Sequence, residues 1–108
     1  MKNEYPTEKE LKEITNWDIT KQDIRLLLEY IEDIWWCPDF GFKLSGKRIL
    51  NLELNTGGWS GNEDIIIALK KNFLFWSMFW EKSIKGGHYY FRIDLKIFKR
   101  RKNEKTKV

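Results

Sequence analysis

Few side chains in this sequence can carry acid–base or nucleophilic chemistry, because it contains one histidine, His88, and one cysteine, Cys37. His88 would act as a general base only beside a carboxylate, and a sheet would bring Glu53 or Asp64 near it. A lone histidine after a glycine turn is more often a strand-end residue bonded to backbone than a catalyst. No serine stands in a G-x-S-x-G context, and the C-terminal end of a helix at Cys37 disfavours a thiolate. We therefore predict no catalytic residue, with His88 and Glu53 or Glu63 as the minor enzyme alternative.

A glycine-rich loop, TGGWSGNE over residues 56–63, lies between a predicted strand and a predicted helix. Its glycines permit positive φ, and a helix N-terminus attracts anions. The loop matches neither the P-loop nor the G-x-G-x-x-G pattern, and Glu63 and Asp64 would repel a phosphate. It therefore predicts a tight turn with Trp59 packed inside, an anion or nucleotide site, or a protein contact. The candidate residues are Gly57, Gly58, Trp59, Ser60, Asn62 and Glu63.

The sequence has few residues that could bind a metal and no long apolar segment. One cysteine and one histidine exclude an internal disulfide, a C-x-x-C zinc site and a multi-histidine site within one chain, so we predict no metal and no cofactor. No apolar run reaches the ~18–20 residues of a membrane span. The N-terminus shows no apolar signal segment. We expect a cytoplasmic protein with no membrane partner.

Aromatic residues are unusually frequent, with 6 Trp, 4 Tyr and 7 Phe in 108 residues. A core of this size cannot easily hide six indoles, because each buried N–H group needs a partner. Some tryptophans should therefore lie at a binding surface or a subunit interface. The strongest candidates for a protein contact, besides Trp59, are Trp76 and Trp80.

Charge is distributed unevenly along the chain. Residues 1–39 contain ten acids and five bases, whereas residues 40–108 contain fifteen bases and six acids. The end of the chain is the most basic piece, and it predicts either a disordered solubilising tail or weak contacts to nucleic-acid phosphates. The residues for such contacts are Lys99, Arg100, Arg101 and Lys102.

The hydrophobic pattern predicts an α+β domain. Thr7 and Glu10 have capping-box spacing, and a strong amphipathic helix spans 21–36 with Thr20 as its cap. The remaining predicted elements are a hairpin with strands 40–44 and 50–54, a helix over 62–72, a strand over 73–80 and a strand over 88–98. The cap of the 62–72 helix is either a Ser60–Glu63 capping box or Asn62. The 73–80 segment also fits a helical stripe, but its aromatics favour a strand.

These elements predict a two-layer domain with a four-stranded, mainly antiparallel sheet and helices on one face, in the order α-β-β-α-β-β. The second and third strands, joined through a helix, could run parallel. Residues 1–19 form a partly helical lead-in, residues 20–98 a single domain and residues 99–108 the basic tail.

The polar face of this sheet is a second candidate site. Its predicted members are Asn51, Glu53, His88, Tyr90 and Arg92, with Trp76, Met78 and Trp80 joining them. Aromatics and arginine on a sheet face can stack on bases, but the RNP signatures of RNA-binding sheets are absent. Indoles and methionine without a dense basic border fit a homodimer or partner interface better.

The string LNTGGWSGNEDII over 54–66, followed by Phe75-Trp76, Trp80 and GGHYYF over 86–91, resembles a pattern in small phage and prophage proteins of unassigned function. The resemblance covers about residues 50–93, and that family offers no established catalytic residues. It implies a phage-borne accessory protein that acts in the bacterial cytoplasm, a class whose members often bind and disable host factors, including defence systems.

We therefore predict a non-enzymatic binding protein that engages, and could inhibit, a host protein through a Trp-rich surface. The alternative is a binder of a small anionic ligand, a nucleotide or nucleic acid that uses the Gly57–Gly61 loop and the face formed by His88, Tyr90 and Arg92.

Overall fold

A computed structural model describes residues 5–98 of the chain. In chain order the elements are α1 (Glu8–Thr15), α2 (Ile24–Ile34), α3 (Pro38–Gly41), β1 (Phe42–Ser45), β2 (Ile49–Asn55), α4 (Ser60–Lys71), α5 (Phe73–Phe79), β3 (Trp80–Ile84) and β4 (His88–Asp94). The four strands form one sheet in the order β1-β2-β4-β3, and every neighbouring pair is antiparallel. The predicted α+β fold is confirmed.

The parallel crossover that the sequence left open between the second and third strands does not occur among the described strands. The neighbours of β2 are β1 and β4, so the third strand in the sequence, β3, lies at the sheet edge beside β4. A β3–β4 hairpin with a turn over 85–87 explains this order, because two strands joined by a tight turn pair more readily with each other than through a helix.

Alternation along β2 and β4 divides the sheet into an apolar face and a polar face. The buried residues of these two strands' apolar face are Leu50, Leu52, Leu54, Phe91 and Ile93. The helices supply the other half of the same core, including Ile24, Leu27, Leu28, Ile31 and Ile34 from α2. Ile14 and Ile19 also belong to this core, so the described part of the lead-in packs with the rest of the domain.

The segment 73–80 is not the predicted strand: it forms α5, and a strand begins only at Trp80. Asn72 caps the helix, because its Oδ1 accepts a hydrogen bond from the backbone N–H of Phe75 at 3.2 Å. Phe75 and Phe79, one helical turn apart, are both buried. The cap and the buried stripe therefore outweigh the strand preference of the aromatic residues.

Several predicted boundaries also shift. The capping box at Thr7 and Glu10 is confirmed, whereas α2 begins after Asp23 instead of Thr20. The N-cap of α4 is Trp59 and no side chain caps it, so the predicted Ser60 capping box is wrong. Phe40 lies in α3 and not in a strand, and β4 ends at Asp94.

The basic tail, with Lys99, Arg100, Arg101 and Lys102, lies outside the described residues.

Asn72 also connects three separate segments of the helical layer. Its Nδ2 donates to the carbonyl oxygens of Ile14 at 3.0 Å and Trp17 at 2.9 Å, while its Oδ1 caps α5. The side chain is 5% exposed, so water does not replace these bonds. One amide therefore joins the end of α1 to the junction between α4 and α5.

We expect Asn72→Ala to lower the free energy of unfolding by about 3 kcal/mol, because it leaves two buried carbonyls and a helix N-terminus without partners. Urea denaturation measures this loss. The matched control is Asn51→Ala at an exposed position of β2, with an expected change within about 0.5 kcal/mol. Equal stabilities for the two variants would contradict this role of Asn72.

Candidate functional site

The predicted glycine loop is a packed junction between β2, α4 and the segment after α2. Asn62 is 2% exposed, and its Nδ2 donates to the carbonyl oxygens of Trp36 at 3.1 Å and Thr56 at 3.3 Å. Its Oδ1 accepts from the backbone N–H of Trp36 at 2.9 Å. Asn62 thus holds the chain after α2 against the start of α4 and has no free polar atom for a ligand.

The exposed part of this loop is aromatic. Trp59 packs on Trp36 with ring centroids 3.9 Å apart, and 46% of Trp59 is exposed. Gly57 and Gly58 have φ values of 63° and 78°, a left-handed backbone that glycine adopts without strain. Ser60 is exposed, and the Glu63 carboxylate accepts from the Thr56 hydroxyl at 3.4 Å. A carboxylate in the first turn of α4 opposes binding of an anion there, and the predicted anion site stays a prediction.

Thr56 also fixes the β3–β4 turn against this loop. Its backbone N–H donates to the carbonyl oxygen of Gly87 at 3.0 Å. A Cβ added at Gly87 would lie 2.3 Å from the Thr56 hydroxyl oxygen, and Gly87 has a φ of 85°. Only glycine fits this close approach, which explains why the turn preceding His88 contains it.

A hydrogen-bonded chain joins His88 to Glu53 through Asn55. The Asn55 Nδ2 donates to Glu53 Oε2 at 3.2 Å, and Asn55 Oδ1 contacts His88 Nδ1. A carboxylate only accepts, so the amide must present its oxygen to the imidazole, and His88 Nδ1 must carry the proton. The predicted approach of His88 to Glu53 is therefore indirect, because Asn55 lies between the two side chains.

The polar side chains of β2 and β4 lie together as predicted. In the register of these strands Asn51 is opposite Arg92, Glu53 is opposite Tyr90 and Asn55 is opposite His88. The apolar residues of β2 and β4 that are buried against helices alternate with these polar residues, so they lie on the other side of the sheet. No helix among the described residues covers the polar side. We call this surface the open face.

The edge strands complete the open face. Lys43 of β1 is opposite Glu53, and Lys82 of β3 is opposite Tyr90 with its Nζ 5.0 Å from the ring centroid. A register shift between Trp80 and Lys82 adds one residue, Glu81, to β3. A hollow of about 180 Å³ opens here, with polar lining residues Lys43, Ser45, Asn51, Glu53, Glu81 and Tyr90.

Trp76, Met78 and Trp80 do not join the open face, contrary to the prediction. Trp80 is opposite Phe91, whose side chain is buried on the helical side of the sheet. Trp76 stacks on Trp80 with centroids 5.9 Å apart and also contacts Phe91 edge-on at 5.4 Å. Because 73–79 is helical, these side chains follow the helix and lie on the opposite side of the sheet from Tyr90 and Arg92.

The outward side of α5 and the start of β3 form a second surface, the aromatic surface. Its members are Phe73, Leu74, Met78 and Trp80, which are 75%, 44%, 44% and 42% exposed. Trp76 lies half-buried beneath them. The polar atom nearest to them on α5, the Ser77 hydroxyl, donates to the carbonyl oxygen of Phe73 at 2.8 Å. α5 therefore presents apolar groups to its surroundings.

The six tryptophans divide between core and surface. Trp35 is fully buried, Trp17, Trp36 and Trp76 are half-buried, and Trp59 and Trp80 are exposed. The indole N–H of Trp80 donates to Ser83 Oγ at 2.9 Å. Those of Trp17 and Trp35 are buried and make no hydrogen bond to another group within residues 5–98.

Across residues 5–98, no three His, Cys, Asp or Glu side chains are grouped in a way that could hold a metal ion. None of the described helices has the length and apolar character needed to cross a bilayer. Cys37 is exposed and has a φ of 56°, the left-handed conformation, immediately before Pro38.

The fold and these surfaces define an α+β protein with one open polar sheet face and one exposed aromatic helix. Comparison with known protein families, with curated proteins and with solved structures finds no match. The resemblance to small phage proteins therefore stays a prediction that rests on the quoted residues.

We expect NMR of the single histidine to show the neutral imidazole of His88 with its proton on Nδ1, because Asn55 presents an oxygen to that atom. Two-bond ¹H–¹⁵N correlation spectra distinguish the protonated nitrogen from the bare one. In Asn55→Ala the preference should disappear while the fold persists. A proton on Nε2 in the unmodified protein would contradict the hydrogen-bonded chain.

Proposed function

We propose that this protein acts by binding another protein through the aromatic surface. The observation that carries the proposal is the outward side of α5, where Phe73, Leu74 and Met78 are exposed beside Trp80 without any charged residue on the helix. An exposed group of large apolar side chains is costly in water, and in folded proteins it marks an interaction site.

The composition of the surface fits a protein partner. Tryptophan, phenylalanine and methionine are enriched at the cores of protein interfaces, and charged residues are depleted there. The nearest cation is Lys70, whose Nζ lies 5.6 Å from the Trp76 ring centroid and 5.8 Å from that of Tyr89. This lysine lies beside the apolar group and supplies part of a polar rim.

Contacts within the chain hold the side chains of Trp76 and Trp80 in place in the absence of a partner. Trp76 is held between Trp80 and Phe91, and the Trp80 indole is bonded to Ser83. A side chain that is already fixed loses little conformational entropy on binding, so its contacts contribute fully to affinity. These contacts support Trp80 as an anchor of the interface.

The resemblance to phage proteins suggests the kind of partner. On that resemblance we propose that the partner is a protein of the bacterial host, and that its inhibition in the cytoplasm is the consequence of binding. Trp59 belongs to a separate surface, because the twelve-residue α4, about 18 Å long, lies between Trp59 and Phe73.

Photo-crosslinking in cells tests the proposal at the level of single residues. With benzoylphenylalanine in place of Phe73, we expect a discrete covalent adduct with one protein, because this is the most exposed side chain of the aromatic surface. The matched control carries the same group at Phe40, which is 60% exposed in α3, outside that surface. Adducts of equal yield at both positions, or none at position 73, would refute the proposal.

Met78→Glu should remove the adduct, because it places a charge in the centre of the contact. We expect affinity for the crosslinked partner to fall by about 30-fold or more, equivalent to about 2 kcal/mol. Thermal unfolding should stay nearly unchanged, since Met78 is a surface residue. An adduct of twice the mass of the chain would identify a second copy as the partner.

A further inference from the structure

We propose that the open face binds single-stranded nucleic acid and holds one base in the hollow beside Tyr90. The open face lies on the opposite side of the sheet from the aromatic surface, so this inference does not depend on the proposed protein partner.

The charges of the fold are separated between its two layers. Residues 5–41, which form the helices α1 to α3, contain nine acids and four bases, whereas the strand regions 42–55 and 80–94 contain six bases and three acids. A polyanion is therefore repelled by one layer and attracted to the other. On the open face itself the cations are Lys43, Lys82 and Arg92, and all three are exposed.

The hollow has the dimensions and lining of a site for a flat polar ring. Its volume of about 180 Å³ is below the ~300 Å³ of pockets that enclose a whole small molecule. Tyr90 provides an aromatic face for stacking, the principal source of affinity for unpaired bases. The Lys82 ammonium group lies over this ring. When a base stacks on the ring, the flexible Lys82 side chain can move aside and bind a phosphate.

Glu53 gives the hollow a preference among bases. Its Oε2 is held by Asn55, which fixes the carboxylate and leaves Oε1 for a ligand. A carboxylate only accepts hydrogen bonds, and cytosine, adenine and guanine offer it an exocyclic amino group with two N–H donors. Uracil and thymine offer only the ring N3–H, which lies between two carbonyl oxygens that repel a carboxylate. Asn51, on the same side of β2, adds a donor and an acceptor. The site therefore selects amino-bearing bases.

The three acids on this face, Glu53, Glu81 and Asp94, equal its three cations in number and weaken purely electrostatic binding. Duplex nucleic acid offers phosphates without an accessible base ring, so it gains nothing from Tyr90 and is repelled by these carboxylates. The expected ligand is a single strand, because only unpaired bases can enter the hollow.

The test is fluorescence anisotropy with labelled 12-nucleotide RNA strands, oligocytidylate and oligouridylate, at low salt. We expect oligocytidylate to bind at least fivefold more tightly than oligouridylate and than a duplex of the same length. Tyr90→Ala should weaken binding of oligocytidylate by tenfold or more, while Tyr90→Phe, which keeps the stacking ring, should bind normally. Glu53→Gln should narrow the difference between the two strands, because an amide can also donate to uracil.

Charge-reversal variants and a tail deletion distinguish binding at this site from nonspecific electrostatic attraction to a basic protein. Arg92→Glu should weaken binding strongly and reduce its salt dependence, whereas Lys12→Glu, the same reversal on the exposed side of α1, should leave both nearly unchanged. Removal of residues 99–108 should leave the preference for oligocytidylate in place. Absence of binding, equal binding of the duplex, or binding that the tail deletion abolishes and Tyr90→Ala leaves intact would overturn the proposal.

Discussion

The pairing of β2 with β4 is the constraint on which both surfaces depend. Its register, from Ile49 opposite Asp94 to Asn55 opposite His88, places every leucine of β2 on the helical side and Asn51, Glu53 and Asn55 on the open side. Because side chains alternate along a strand, a slip of one residue would exchange these two faces and expose the core. The same register brings Asn55 to His88 and creates the chain that ends at Glu53.

Buried asparagines hold the irregular parts of the fold in place. Asn62 binds the backbone of Trp36 and Thr56, and Asn72 binds that of Ile14 and Trp17. Each side chain satisfies backbone groups at a point where helices end and cannot satisfy them internally. These short, directional bonds fix the angles at which α1, α4 and α5 meet, and thereby fix which side of α5 faces outward.

The sheet thus separates the two surfaces that we propose as binding sites. On its helical side α5 presents rigid aromatic groups, and on its open side the strands present hydrogen-bonding groups and cations around Tyr90. With both proposals, a protein of this size would contact two partners at once, since neither surface blocks the other. The edge strand β3 takes part in both: Trp80 belongs to the aromatic surface, while Lys82 belongs to the open face. The extra residue between them, Glu81, makes this change of side possible, because a bulge interrupts the regular alternation of a strand.

Local patterns in the sequence determined much of this protein. The apolar stripe of α2, the capping box at Thr7 and the alternation of 88–94 each involve neighbouring residues, so the sequence alone predicts α+β structure, a one-sided sheet and the grouping of Asn51, Glu53, His88, Tyr90 and Arg92. Only the tertiary structure decided the helical state of 73–79, the place of β3 at the edge and the function of Asn55. The segment FLFWSMFW has an apolar side whether its residues follow the helical or the strand period. The choice between helix and strand therefore depends on the cap at Asn72 and on burial of Phe75 against Phe91. Contacts between residues that are distant in the chain carry no local signature, and for that reason the position of Trp76 and Trp80 could not be read from spacing.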